Sequence, residues 1–307
     1  MKKFISKIFV FIIFSGLFYI IFLFFWGSCM PSIFKPNINY TIGSYGHLYS
    51  RLDEVKNKKN IDILFLGSSH AYRGFDTRIF SEYNFESFNL GSSNQTPIQT
   101  KILLNRYLDQ LNPKVVVYEV YPHSFMVDGV ESSVDIIAND KNDLLSLKMA
   151  FKINNIKTYN TFIYGFIRDC LGLNKKFTES TKKGRDTYVS GGFVEKKIGY
   201  FKPREFEKKT IDLKQVQLES FSEIISELKK KNIKIILIYA PIPRANYNSY
   251  SNNIYFDKLM SDYAEYYNFN EIMKLNDSLH FYDADHLNKN GVSLFNKKLI
   301  EVLKNKE

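Results

Sequence analysis

The sequence predicts an α/β domain built on a parallel sheet covered on both faces and preceded by one transmembrane helix. Three observations carry this. Residues 8–26 are apolar, aromatic or small throughout, a run long enough to cross about 30 Å of hydrocarbon as a helix. Short, largely apolar runs occur in IDILFLGSSH (61–70), at Val115–Val120 and at Ile233–Tyr239, the pattern of strands buried on both faces. Amphipathic helical segments alternate with those runs, as in βαβ units.

At the amino terminus, Lys2, Lys3 and Lys7 precede the apolar run and only Lys35 follows it closely. The positive-inside bias therefore keeps residues 1–30 as a cytoplasmic start and membrane anchor and sends the rest outward. A cleaved signal peptide has a shorter apolar core, and Trp26 stands where a lipoprotein site before Cys29 needs an aliphatic residue. Residues 31–56, with Pro36, Asn37, Gly43 and Gly46, read as a linker that ends in a short amphipathic stretch over Leu48–Val55.

From residue 57 to 307 the chain reads as one domain. After the first strand, Asp76–Tyr83 is a short helix, and Glu86–Leu90 leads into a second strand ending at Gly91. Pro97 suits a first helical position, and Ile98, Ile102, Leu103, Leu108 and Leu111 share one face until Asn112 and Pro113 stop the helix. Beyond the strand Val115–Val120 the alternation lapses over about 125–206, an insertion or cap with helical fragments at Leu144–Phe151 and Tyr159–Leu171. Its aromatics Tyr159, Phe162, Tyr164 and Phe166 read as core at helical spacing. The pattern resumes with an amphipathic helix presenting Val216, Phe221, Ile224, Ile225 and Leu228, and then strand Ile233–Tyr239. A helix over Phe256–Tyr267, a strand near Ile272 and a closing helix Asn290–Lys304 complete it.

The chain of 307 residues has a formal charge of +10, but its lysines are scattered without interleaved aromatics, which sets nucleic acid aside. Cys29 and Cys170 do not suggest a disulfide, and no Cys/His spacing indicates zinc. There is no Walker A loop and no G-x-G-x-x-G after a strand, so no nucleotide motif is present.

Three features fall at loop positions that a doubly wound sheet gathers at one edge. These are Gly67-Ser68-Ser69-His70 after the first strand, Gly91-Ser92-Ser93-Asn94 after the second, and Asp283-Ala284-Asp285-His286 before the last helix. They supply the parts of a serine hydrolase. A serine hydroxyl needs a base to become a nucleophile, and histidine is the side chain titrating closest to neutrality. Asp283, three residues before His286, can orient that imidazole. The backbone N–H groups of Ser69 and Gly91, with the Asn94 amide, are candidate oxyanion donors. Asp283 and Asp285 around His286 could instead ligate a cation, but no second ligand set accompanies them, so no metal is expected.

With these motifs in place, residues 60–125 and 213–303 resemble the SGNH/GDSL hydrolase family of bacterial esterases and acyltransferases. The resemblance implies a flavodoxin-like three-layer α/β/α sandwich. It aligns Gly67-Ser68-Ser69 with the family's Gly-Asp-Ser and so selects Ser69 as nucleophile, Gly91 as the second-block glycine, and Asp283 with His286 as the closing Asp-x-x-His. The membrane-tethered branch is the most similar, including alginate O-acetylation and teichoic acid D-alanylation factors. The family's third block, Gly-x-Asn-Asp, is absent. Tyr118-Glu119-Val120-Tyr121-Pro122-His123 stands there instead, projecting Glu119, Tyr121 and His123 toward the site.

The resulting expectation is an extracytoplasmic serine esterase or O-acyltransferase, anchored in a bacterial cytoplasmic membrane and acting on acyl, foremost acetyl, esters of a cell-envelope glycan. It needs no cofactor. Arg73, His123 and Arg244 are its expected substrate contacts, the arginines suiting an anionic sugar, and a polytopic membrane acyltransferase is an expected partner. The alternative is a non-catalytic domain of the same fold that docks such an acyltransferase or binds polysaccharide.

Overall fold

The structure, a computed structural model, describes residues 1–304. Contacts divide the chain into two units, residues 1–42 with 133–177, and residues 43–132 with those from 178 onward. In chain order the elements begin with α1 (Lys2–Cys29), α2 (Leu48–Glu54), β1 (Ile63–Leu66), α3 (Ser69–Gly74), α4 (Thr77–Glu82), β2 (Ser87–Asn89) and α5 (Pro97–Leu111). Next come β3 (Val115–Glu119), α6 (Pro122–Met126), α7 (Val130–Asn139), α8 (Leu144–Ile153), α9 (Ile156–Cys170), β4 (Lys182–Lys183), β5 (Asp186–Val189) and β6 (Phe193–Lys196). The chain ends with α10 (Gln215–Lys230), β7 (Lys234–Tyr239), α11 (Arg244–Tyr247), α12 (Asn253–Tyr263), β8 (Glu265–Asn268), α13 (Phe269–Ile272), α14 (Asp277–His280) and α15 (Lys289–Lys304).

In the first unit, α1 has 28 residues and a mean hydropathy of 2.9 in its most apolar window, so it is long and apolar enough to cross a membrane. It packs along α9, where the Tyr19 hydroxyl donates to Asn160 Oδ1 at 2.6 Å. Gly27 is needed there because a Cβ would fall 2.7 Å from the Tyr164 ring. Tyr164 is thus a packing residue, while Phe166 stays exposed. Cys29 and Cys170 are both free.

The second unit holds the five-stranded sheet, ordered β2-β1-β3-β7-β8 and parallel throughout. Numbered by chain order within this sheet, that is 2-1-3-4-5, the flavodoxin-like doubly wound order. Alternate strand residues face opposite layers. Ile63, Phe65, Val117, Ile236 and Ile238 pack with Phe75, Phe80, Phe295 and Leu299 of the layer containing α15. On the other face Tyr118 meets Phe221 of α10, and Tyr239 meets Phe256 of α12. The fold class the sequence predicts is therefore the fold observed.

Four details differ from the expectation. Residues 265–267 continue no helix: the chain becomes extended at Ala264, and Glu265–Asn268 pairs with Ile236–Tyr239 as the edge strand. Phe269–Ile272, near the expected last strand, is helical instead. The Lys- and Thr-rich part of the insertion forms an antiparallel three-stranded sheet, β4-β5-β6, in strands too short for a period-2 signal. In the stretch read as a linker, Leu48, Arg51 and Leu52 of α2 are fully buried, and Arg51 Nε donates to the Gly192 carbonyl at 2.8 Å.

Candidate active site

In this strand order the topological switch lies between β1 and β3, where α/β sheets bind ligands beyond the carboxyl ends of their strands. Both strands deliver polar residues there. Gly67 ends β1 with φ +135°, and a Cβ at that position would stand 2.8 Å from the Glu119 carbonyl oxygen at the end of β3. Only glycine makes both the turn and the close approach. The chain then enters α3 directly, with Ser68 as N-cap accepting from the His70 N–H at 3.3 Å. This leaves Ser69 at the first helical position, where its own N–H lacks an intrahelical acceptor.

The opposite wall is the loop before α15. Phe281 and Leu287 pair across it, and the Tyr282 N–H donates to the His286 carbonyl at 2.8 Å, so residues 283–286 project from a pinched base. Asp283 Oδ1 accepts from the backbone N–H groups of Asp285 (3.1 Å) and His286 (2.8 Å), which fixes the turn. The His286 ring then lies with Nδ1 3.0 Å from Asp283 Oδ1 and 2.9 Å from Asp285 Oδ1. Its Nε2 is 2.7 Å from Ser69 Oγ.

Two carboxylates face the same ring nitrogen, and the electrostatics follow from that. Burial lowers the His286 pKa, but hydrogen bonds and charge from Asp283 and Asp285 outweigh it and push it up to about 10. Burial raises the Asp285 carboxyl, yet its contact with His286 holds it well below the usual carboxylate range. His70 is the reverse case: burial and the charge of His286 lower it to about 4, so its imidazole is neutral. Its ring stacks on His286 at 4.8 Å between centroids and contacts Tyr121 at 4.1 Å.

A pocket of about 320 Å³ opens over Ser69, lined also by Tyr72, Arg73, Ser93, Asn94, Tyr121, His123, Glu131, Lys196 and Asp283 to His286 apart from Ala284. It brings together most of the residues singled out in the sequence. Asn94 lies on its rim, its amide donating to Glu131 Oε2 at 3.2 Å. Arg73 also lines it, with its guanidinium in a two-point contact with Asp186 at 3.1 and 2.8 Å. His123 lines it too, its pKa lowered by burial.

Two of the expected residues are elsewhere. Gly91 is absent from the lining, and its N–H donates to Asn89 Oδ1 at 2.9 Å. Its place is one of packing, since a Cβ would stand 2.8 Å from the Ser68 carbonyl oxygen. Arg244 lines a separate cavity of about 260 Å³ with Ile242, Met273 and Phe281. Its guanidinium donates there to the Asn270 carbonyl at 2.9 Å and to Glu271 at 3.1 Å.

His70, Asp285 and His286 could offer three donor atoms to a cation, all within 4.8 Å of one another. Both ring nitrogens of each histidine already face a protein partner, so the cluster reads as a hydrogen-bond junction. Sequence reasoning placed His70 in the first turn without a role, read Asp285 only as a candidate cation ligand, and had Glu119 projecting toward the site without a function. The available signal for Glu119 is a lone acid closing the apolar run VVVYE.

No protein-family model matches the chain, and no curated protein matches it. Solved structures with a similar course include a GDSL-like lipase from Bacteroides thetaiotaomicron, at 9% identity over 86% of this chain and 100% of that one, TM-score 0.42. Another is a putative acylhydrolase from Bacteroides fragilis, at 10% identity over 86% and 98% of the two chains, TM-score 0.43. Likenesses this remote carry no argument about chemistry, which rests on the chain's own geometry.

Proposed function

We propose that this chain is a membrane-anchored serine esterase or O-acyltransferase of SGNH type, acting outside the cytoplasmic membrane on acyl, foremost acetyl, esters of a cell-envelope glycan. The observation that carries the reading is the line from Ser69 Oγ through His286 to the carboxylates, with 2.7 Å between Oγ and Nε2. In this reading Ser69 Oγ attacks the acyl carbon as its proton passes to His286 Nε2. The carbonyl oxygen of the ester becomes negative, with the Ser69 N–H and the Asn94 amide as its candidate donors. Collapse expels the alcohol, which takes the proton back from His286 and leaves an acyl group on Ser69. A sugar hydroxyl or water then attacks that acyl group as His286 takes its proton, and collapse breaks the acyl–Oγ bond while His286 returns the proton to Ser69 Oγ. Arg73 and His123 would contact the glycan from the pocket wall, and no cofactor takes part.

The anchor is α1, and its orientation follows the lysines at residues 2, 3 and 7, which keep the amino terminus inside. One observation favours a second reading. An imidazole held up to about 10 is charged near neutrality and takes no proton in that form. A domain resting in this state could instead dock a polytopic acyltransferase or bind polysaccharide. The full chain in lipid nanodiscs, given an activated acetyl ester and an acidic oligosaccharide, separates the possibilities. Acetylated sugar abolished by Ser69→Ala supports transfer, and free acetate alone supports an esterase. Neither product, at any pH up to about 10, supports the non-catalytic reading.

A further inference from the structure

Glu119 lies beneath the nucleophile turn, 1% exposed, and its Oε1 has no hydrogen-bond partner among the described residues. The proposed reaction makes no use of it. Its neighbours nevertheless define the direction of every hydrogen bond above it. His70 Nε2 is 2.9 Å from the Asp285 carbonyl oxygen, which can only accept, so Nε2 carries the hydrogen. In the neutral ring Nδ1 is then the acceptor, and the hydroxyl of Ser68, 3.2 Å away, donates to it. That uses the one hydrogen Ser68 has. With that hydrogen committed to His70, the remaining contact, Ser68 Oγ to Glu119 Oε2 at 3.4 Å, can be a hydrogen bond only when Glu119 is the donor.

We propose that Glu119 is a positioning residue of this site: its carboxylic acid heads a one-way hydrogen-bond chain, through Ser68 and His70 to the Asp285 carbonyl, that fixes the loop carrying His286 against Ser69. The Asp285 side chain completes the link, since it holds His286 Nδ1. Burial favours the acid form of Glu119, raising its pKa to about 8 against smaller opposing effects from Ser68, Tyr121 and His286. The titratable groups that act on it are His286 above, the phenol of Tyr118 beside it on β3, and the phenols of Tyr239 on β7 and Tyr266 on β8. All three phenols are raised above their ordinary value and stay neutral. Once ionised, Glu119 competes with His70 Nδ1 for the Ser68 hydrogen, and the chain loses its direction.

The proposal rests on Ser69 and His286 being the reacting pair, and its test has one readout independent of turnover. Imidazole nitrogen NMR of the full chain in nanodiscs, assigned by single histidine substitutions, follows His70 as pH rises in wild type, Glu119→Gln and Glu119→Leu. Glutamine keeps a donor at all pH values, and leucine has none. In wild type, His70 is expected as the Nε2–H tautomer near neutrality, with a step in its signals at about pH 8. Glu119→Gln removes the step and keeps ester turnover near neutral pH within about twofold. Glu119→Leu also removes the step, and lowers kcat about tenfold with little change in KM. A step persisting in either variant, or a wild-type kcat in Glu119→Leu, overturns the proposal. If the leucine variant does not fold, the glutamine variant decides alone. If the His70 signals behave as expected but Ser69→Ala leaves turnover intact, the serine reading fails and the positioning chain stands.

Discussion

His286 Nε2 stands 2.7 Å from Ser69 Oγ although 217 positions separate the two residues in the chain. Two loops at the carboxyl edge of the sheet produce this contact, one forced into its turn by Gly67 and the other by the Asp283 side chain. Each turn is set within its own loop, and the contact from His70 Nε2 to the Asp285 carbonyl at 2.9 Å joins the two.

Asp283 and Asp285 share His286 Nδ1, and removing either should show in the pH dependence of turnover. The imidazole must be neutral to take the Ser69 proton, so kcat/KM for an ester should rise with pH toward about 10. Asp285→Asn removes one of the charges holding the proton, and the rise should move to lower pH by about one unit or more. The limb is read most cleanly with Glu119→Gln in place, where a second ionisation does not intrude. An unchanged limb in both Asp283→Asn and Asp285→Asn would mean that the paired carboxylates do not govern His286.

Gly67→Ala should be among the most damaging small substitutions in the sheet unit. A Cβ would meet the Glu119 carbonyl oxygen at 2.8 Å while the backbone holds φ +135°, so the loss of stability should be about 2–4 kcal/mol. Thermal unfolding of the full chain in detergent measures it. Gly184→Ala, with φ +57° and open space around the added carbon, is the comparison and should cost about 1 kcal/mol. Equal losses would show that the approach of Glu119 is not what demands glycine at 67.

His70 should make the protein less stable in mild acid. Its folded pKa lies near 4 against an ordinary 6.5, so between those values the unfolded chain binds a proton that the folded chain does not. Stability is therefore fully present above about 6.5 and falls as pH drops toward 4, by about 3 kcal/mol at most. Unfolding midpoints across that range should show a slope that His70→Gln reduces. A His70→Gln variant with the wild-type slope would contradict a buried neutral imidazole.

Much of this was legible in the sequence because tight turns have their own chemistry. Gly67, Ser68 and Asp283 mark the ends of apolar runs with residues that only turns and caps favour, and the alternation of runs gave the parallel sheet. Side-chain direction was not legible. Gly91 sits in the expected turn, but Asn89 captures its N–H. Arg244 follows β7 as expected, yet the Asn270 carbonyl and Glu271 hold it in the other cavity. Asp285 was read only as a cation ligand because chain spacing favours the i, i+3 partner of His286, whereas the pinched loop brings both carboxylates to one nitrogen. Glu119 was legible as projecting toward the site but not as buried, because an acid at the end of a strand usually reaches water and only the three-dimensional cover of Gly67 and Ser68 buries it.

The central claim is that Ser69 is a nucleophile activated by His286. Treating the full chain in nanodiscs with a fluorophosphonate and locating the adduct by peptide mass spectrometry tests it most directly. One adduct on Ser69 is expected, growing faster as pH rises toward the His286 value and lost in both Ser69→Ala and His286→Ala. No adduct on the wild-type chain across that pH range, or equal labelling after Ser69→Ala, would contradict the claim.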